Sequence, residues 1–272
     1  LGLFEETPKQ EKTLVSPLDE SANLTDRARS YLHVNCAHCH RRQGGGSVPM
    51  NVVYTESDDT TNMFGQRPSQ GEFGIENARV VAASDPFRSV LLYRFSKLGP
   101  GHMPKLGGLE IDQRGARLLH DWIASLGDQS AEAGESATRV RLRQLQEASS
   151  DDATLASFLQ KPENALAAAH AYRSGELNGA QRKRLLQLTR NLPDTSRDLF
   201  EGFIPIEDRV KRLGANINVN EILASRGDVD RGRELFLSSS LSCKNCHAVE
   251  ANKESTGPNL SKLEGNRYAR MV

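Results

Sequence analysis

The chain has four cysteines, and all of them fall in two copies of one five-residue frame. CAHCH runs from Cys36 to His40 near one end, and CKNCH runs from Cys243 to His247 near the other. The fold must therefore bring two thiols and an adjoining imidazole into the same arrangement twice. Three chemistries compete for a C-x-x-C frame: a redox dithiol, half of a zinc site, and thioether attachment of haem when His follows directly. A dithiol pair has no use for the His and normally sits at a strand-to-helix junction, whereas Cys36 follows TDRARSYLHVN, which reads as helix. One zinc ion shared by both frames could take four thiolates. It would leave His40 and His247 coincidental. Covalent haem uses the whole frame, with Cys36 and Cys39, or Cys243 and Cys246, adding to the porphyrin vinyl groups and His40 or His247 under the iron as proximal ligand. Two covalently bound haem c groups are expected on this reading, and His38 is expected to be an exposed spacer.

Both frames have a helix leading into them. Thr25 or Asn23 can cap the first, with Asp26 in its opening turn, and Asp228 or Asp230 starts the second, DVDRGRELF. Gly232 and Phe236 lie four apart on one face, small then large, which suits a close helix crossing. After the first frame, DQRGARLLHDWIASLG places Leu118, Leu119, Trp122, Ile123 and Leu126 on an apolar stripe with Gly127 as a natural stop.

The stretch GDVDRGRELFLSSSLSCKNCHAVEANKESTGPNL resembles class I cytochrome c. In that family a Gly-Pro after the motif sets a backbone carbonyl against the proximal His, which fixes its ring and tautomer. Gly257 and Pro258 match that pair, and Pro49 in GGGSVPM is expected to supply the equivalent contact in the first unit. The resemblance also implies a distal thioether from a Gly-rich Met-Pro loop before the closing helix. Met103 in GPGHMPKLGG is therefore the expected sixth ligand of haem one, with His102, Met50 and Met63 as alternatives. Only Ala248 to Val272 follow His247, too few residues for a loop and a closing helix. The second unit is expected to be incomplete, the chain to continue beyond Val272, and Met271 is the one Met there that could serve as distal ligand of haem two.

Between the haem units, residues from about Gly127 to Ser150 shift toward Ser, Ala, Glu, Gln and Arg and read as a linker or solvated helix. ATLASFLQ, ENALAAAHAYRSG, NGAQRKRLLQLTRNL and TSRDLFEGFI follow as short helices separated by Pro, Gly and Asn signals, in the manner of a HEAT-type pair. His33, His120 and His170 are read as ordinary surface or half-buried histidines. The expected architecture is all-α: an N-terminal extension over 1–23, a haem domain over 24–127, a helical connector over 128–226 and a truncated haem domain over 227–272.

LTDRARSYLHVNCAHCHRRQGG, SDPFRSVLLYRFSKLGPGHMPKLG and LLHDWIASL look like the haem domain of bacterial diheme cytochromes. With DLFEGFIPIEDRVKRLG and the CKNCH unit after them, they are similar in order to the C-terminal half of large haem-binding proteins of planctomycete and verrucomicrobial type. In those proteins a propeller resembling sugar dehydrogenases often precedes the haem modules. The resemblance implies electron transfer, with a dehydrogenase domain or subunit as donor and another cytochrome or oxidase as acceptor. The alternative is a diheme peroxidase-like oxidoreductase, which needs one open iron. Haem c chemistry implies a periplasmic or extracellular bacterial location. With 35 basic and 35 acidic residues and no polybasic block, nothing points to nucleic acid, and no apolar run approaches the ~20 residues of a membrane span.

Overall fold

In a computed structural model the described residues are 13–105, 108–127, 136–210, 220, 224, 226–238, 243–245, 247–255 and 257–262. They form an all-α arrangement. The helices are α1 (Leu24–Cys36), α2 (Val90–Ser96), α3 (Gln113–Ser125), α4 (Ala137–Ala148), α5 (Asp152–Leu159), α6 (Pro162–Ser174), α7 (Gly179–Thr189), α8 (Asp194–Arg197) and α9 (Val229–Leu237). The extended pairing among the described residues consists of two isolated bridges, Phe64 with Val81 and Arg79 with Ser89.

Local chemistry sets where these helices begin. Of the two candidate caps for α1 it is Asn23 whose side chain accepts from the backbone of Thr25 and Asp26. For α9 it is Asp228, accepting from Arg231. Asp112 caps α3, and a reciprocal box between Asn178 and Gln181 opens α7. Each cap satisfies amides that the first helical turn leaves without partners.

The helix leading into the first frame crosses the closing helix through a short, specific contact. Tyr31 on α1 donates its hydroxyl to Asp112 Oδ2 at 2.8 Å while the other oxygen of Asp112 caps α3. Gly115, on the first turn of α3, faces the Tyr31 hydroxyl so closely that a Cβ there would collide with it. Leu118, Leu119, Trp122 and Ile123 then bury the expected stripe, with Leu126 packed at its edge. α2, which the sequence reading did not single out as a helix, packs beside α3 and buries Val90, Leu92, Tyr93 and Phe95.

The middle of the chain is more than a spacer. Every residue from Pro162 to Ala171 in α6 is buried. Its alanines let neighbours approach on all sides, and α3, α4, α5, α8 and the turn at Pro86–Arg88 all pack against it. A helix buried all round is a core helix. One hydrophobic core runs from Ala28 to Phe200, so the boundary expected at residue 127 is not a break in packing. The expected connector helices are all present, and TSRDLFEGFI becomes α8 followed by a 3-10 turn at Glu201–Phe203. α5 and α8 pack against the central α6, and α7 packs against α5.

α9 is different. None of its residues is buried, Val229 is 85% exposed, and among the described residues nothing beyond the helix's own backbone lies within 4 Å of where a Gly232 side chain would begin. Gly232 and Phe236 thus make no close helix crossing among the described residues.

Candidate functional site

The two C-x-x-C-H frames share a backbone turn. His40 N donates to Cys36 O at 2.8 Å, and His247 N donates to Cys243 O at 3.0 Å. A later residue closes each loop onto the frame: Val52 N reaches His40 O at 2.9 Å, and Leu260 N reaches Ala248 O at 2.8 Å. The first turn extends α1 and the second is a 3-10 turn at Cys243–Asn245. Cys246 and Met271 lie outside the described residues.

In the second frame, His247 Nδ1 sits 2.9 Å from the Pro258 carbonyl oxygen. A carbonyl only accepts, so Nδ1 carries a proton, and in the neutral ring the lone pair is then on Nε2. That is the tautomer an Nε2 metal ligand requires. The supporting loop is itself held, since Ser255 Oγ donates to the Gly257 carbonyl at 2.9 Å and Asn259 Nδ2 donates to the carbonyls of Glu250 and Lys253. Of the Gly257–Pro258 pair it is Pro258 that meets the His247 ring, while Gly257 is held by Ser255.

The first frame reaches a similar shape by other means. The Pro49 carbonyl accepts from Asn62 Nδ2 at 3.1 Å, and His40 Nδ1 is a buried atom with no hydrogen-bond partner, so Pro49 and His40 are not brought together. The spacing explains this. Pro258 lies eleven residues after its histidine and Pro49 only nine, so the shorter loop turns its carbonyl elsewhere. What lies against His40 is glycine backbone. Gly46 N donates to Cys39 O at 3.0 Å, and a Cβ on Gly46 would fall 2.9 Å from His40 Nδ1. A Cβ on Gly44 would collide with the Cys39 carbonyl. The glycine run directly after CAHCH was the available signal for this wrap.

Electrostatics bear on the competing chemistries. Burial, with the Cys39 charge adding to it, pushes the Cys36 thiol up to about 11. A redox dithiol works through a lowered thiol pKa, so the first frame is poorly suited to that role. The His40 imidazole is held below its ordinary value, by burial first and then by the charges of His38 and Arg94. A neutral ring is the form that binds metal. His38 is exposed, as a spacer should be. Among the described residues no group of three or more His, Cys, Asp or Glu side chains converges as a bare metal ion would need.

Arg94 also links the first frame to the Met-Pro loop. Its carbonyl accepts from Met103 N at 3.1 Å and its Nη1 donates to the Gly101 carbonyl at 3.1 Å, while its guanidinium lies 4.5 Å over the Phe73 ring. Met103 is half-buried. Of the alternatives, Met63 is wholly buried in the core and Met50 packs at its margin. Trp122 is also enclosed in the core, edge-on to Phe64 with ring centroids 6.0 Å apart. His33 accepts from Tyr54 N at 3.2 Å, an ordinary structural role. His120 and His170 depart further from the surface or half-buried position expected of them. Both are buried, and their rings stack with centroids 3.5 Å apart where α3 meets α6.

The donor set of the first frame fits a thiol-linked haem, with Cys36 and Cys39 beside an imidazole held below its ordinary value, and the second frame repeats the hydrogen bond from His to the first Cys. Comparison with protein-family models, with curated proteins and with solved structures finds no match for the chain. No helix among the described residues is long and apolar enough to cross a membrane.

Proposed function

We propose that the chain is a diheme c-type cytochrome that transfers electrons, built from class I cytochrome c-like units. The observation that carries this reading is the 2.9 Å contact between His247 Nδ1 and the Pro258 carbonyl, which commits the ring to offering Nε2. When bound, haem would supply a one-electron couple. The chain's own residues do the rest. Cys36 and Cys39, and Cys243 and Cys246, would hold the two groups covalently, and His40 and His247 would present a neutral imidazole to each. Gly46 lets backbone pack against the His40 ring, Gly44 lets it pass the Cys39 carbonyl, and the Pro258 carbonyl meets the His247 ring. Met103 is the distal ligand of haem one in this reading, and Met271 the candidate for haem two.

A carrier needs sealed metal sites and a donor and acceptor that dock, here a dehydrogenase domain or subunit and a further cytochrome or oxidase. Haem c attachment places the protein in the periplasm or outside the bacterial cell. The test is mass spectrometry of denatured protein, expected to retain two haems per chain, with one lost from each of Cys36→Ala and Cys243→Ala. Recovery of zinc in their place would overturn the reading. Carrier and peroxidase-like oxidoreductase are separated by turnover: rapid exchange with a small redox mediator and negligible peroxide reduction are expected. Fast peroxide reduction would make the chain an enzyme.

A further inference from the structure

The segment that carries His102 and Met103 is tied to α8 and to the residue just after it. Asp198 Oδ2 lies 3.2 Å from Lys97 Nζ, and both side chains are almost wholly buried. The Asp198 carbonyl accepts from the next amide, Leu98 N, at 3.0 Å. Tyr93 donates its hydroxyl to the Thr195 carbonyl at 2.6 Å. Lys97 then carries the connection inward, donating to the Pro100 carbonyl at 2.6 Å and lying over the rings of Phe73 and Tyr93. Beyond Pro100 the backbone folds on itself, with His102 N on Gly99 O and Met103 N on Arg94 O. Arg197 Nη2 also approaches Asp198, at 3.3 Å.

A buried ammonium persists only while its charge is met, and breaking such a pair costs far more than the loss of one exposed contact. The chain Asp198, Lys97, Pro100 thus has one preferred arrangement, anchored outside the haem unit that it serves. We propose that Asp198 is a positioning residue for the Met103 segment: through Lys97 it fixes the loop from residue 97 to 103 and so keeps the Met103 thioether on its iron. This rests on the reading of Met103 as distal ligand of haem one. It also gives the middle helices a part in setting the redox properties of the first site.

The test uses the haem-loaded chain. In Asp198→Asn, the carboxylate 3.2 Å from Lys97 Nζ is lost, and three changes are expected: faster hydrogen exchange over residues 97–103, loss of most of the ferric thioether charge-transfer band, and at least tenfold faster carbon monoxide binding to ferrous haem one. Asp198→Glu should recover part of the band. Tyr93→Phe, which removes one hydrogen bond and keeps the ring, should shift the same readouts less. Leu159→Ala, in the core at the end of α5 and outside the Lys97–Asp198 contact, controls for stability and should leave the band intact. Wild-type protein without the band would remove Met103 as ligand and overturn the proposal at its premise. A wild-type band unchanged in both Asp198→Asn and Tyr93→Phe would overturn the anchor while leaving the Met103 reading in place. A band lost equally in Leu159→Ala would reduce Asp198 to a structural residue and overturn it too.

Discussion

Around the first C-x-x-C-H frame the chain builds a shared core: α1 crosses α3, α2 lies beside them, and the buried α6 closes the other side. Around the second frame the lead helix α9 has no buried residue, yet His247 Nδ1 is held by the Pro258 carbonyl. Enclosure and histidine orientation therefore come from different sources. The core depends on distant segments meeting, whereas the histidine contact needs only a loop of the right length. A loop can hold a histidine without a packed helix beside it, whereas in the packed unit the backbone of Gly46 lies against the His40 ring.

The largest effect that would sharpen this contrast is Trp122→Ala. Removing a fully buried indole from α3 should cost about 3–5 kcal/mol. Thermal or denaturant unfolding should show α4 to α7 melting together with α1 to α3, because they share one core. Two separate transitions, with only the first shifted, would break the picture of a shared core.

Next comes pH. His170 is buried at the α3–α6 contact, and burial, then the charges of His120, Arg173 and Arg117, holds it down at about 2. The folded state keeps the ring neutral while the unfolded chain takes up a proton near 6.5. Between those values the unfolded state binds more protons, so stability is fully present above about pH 6.5 and falls as pH drops. The expected slope is up to ~1.4 kcal/mol per pH unit. His170→Gln should flatten that slope, and an equal slope in both proteins would remove His170 as its source.

Smaller again is Tyr31→Phe, which removes the hydroxyl donated to Asp112 at the α1–α3 crossing. A bond to a charged group contributes about 1.5–3 kcal/mol, and partial exposure of this one places the loss at the low end. Asp112 keeps its capping bonds to Arg114 and Gly115, so α3 itself should persist in circular dichroism. The smallest effect belongs to the other region. Val229→Ala on α9 should change stability by no more than ~0.5 kcal/mol, the norm for an exposed site. A loss near that of Trp122→Ala would show that α9 is buried against something in solution.

Much of the site was legible in residue order because its geometry is local. The frame spacing fixes the hydrogen bond from His to the first Cys, and the interval from His247 to Pro258 lets one loop return a carbonyl to the ring. Caps at Asn23 and Asp228 and the apolar stripe of α3 were legible for the same reason, since each is settled within one or two turns of helix. Pro49 shows the limit of such reasoning. Its carbonyl went to Asn62, a residue no local pattern ties to it.

The sequence by itself determined the two frames, the residue types beside each thiol pair and most of the helices, α2 excepted and α4 left open between linker and helix, because near-neighbour spacing leaves few alternatives. Only the tertiary structure decided that α6 is buried on every face, that His120 stacks on His170, and that Lys97 meets Asp198. The physical reason is that burial and charge pairing depend on which distant surfaces exclude water from one another. An alanine-rich helix such as α6, or a lysine such as Lys97, reads as solvated until the chain has closed around it.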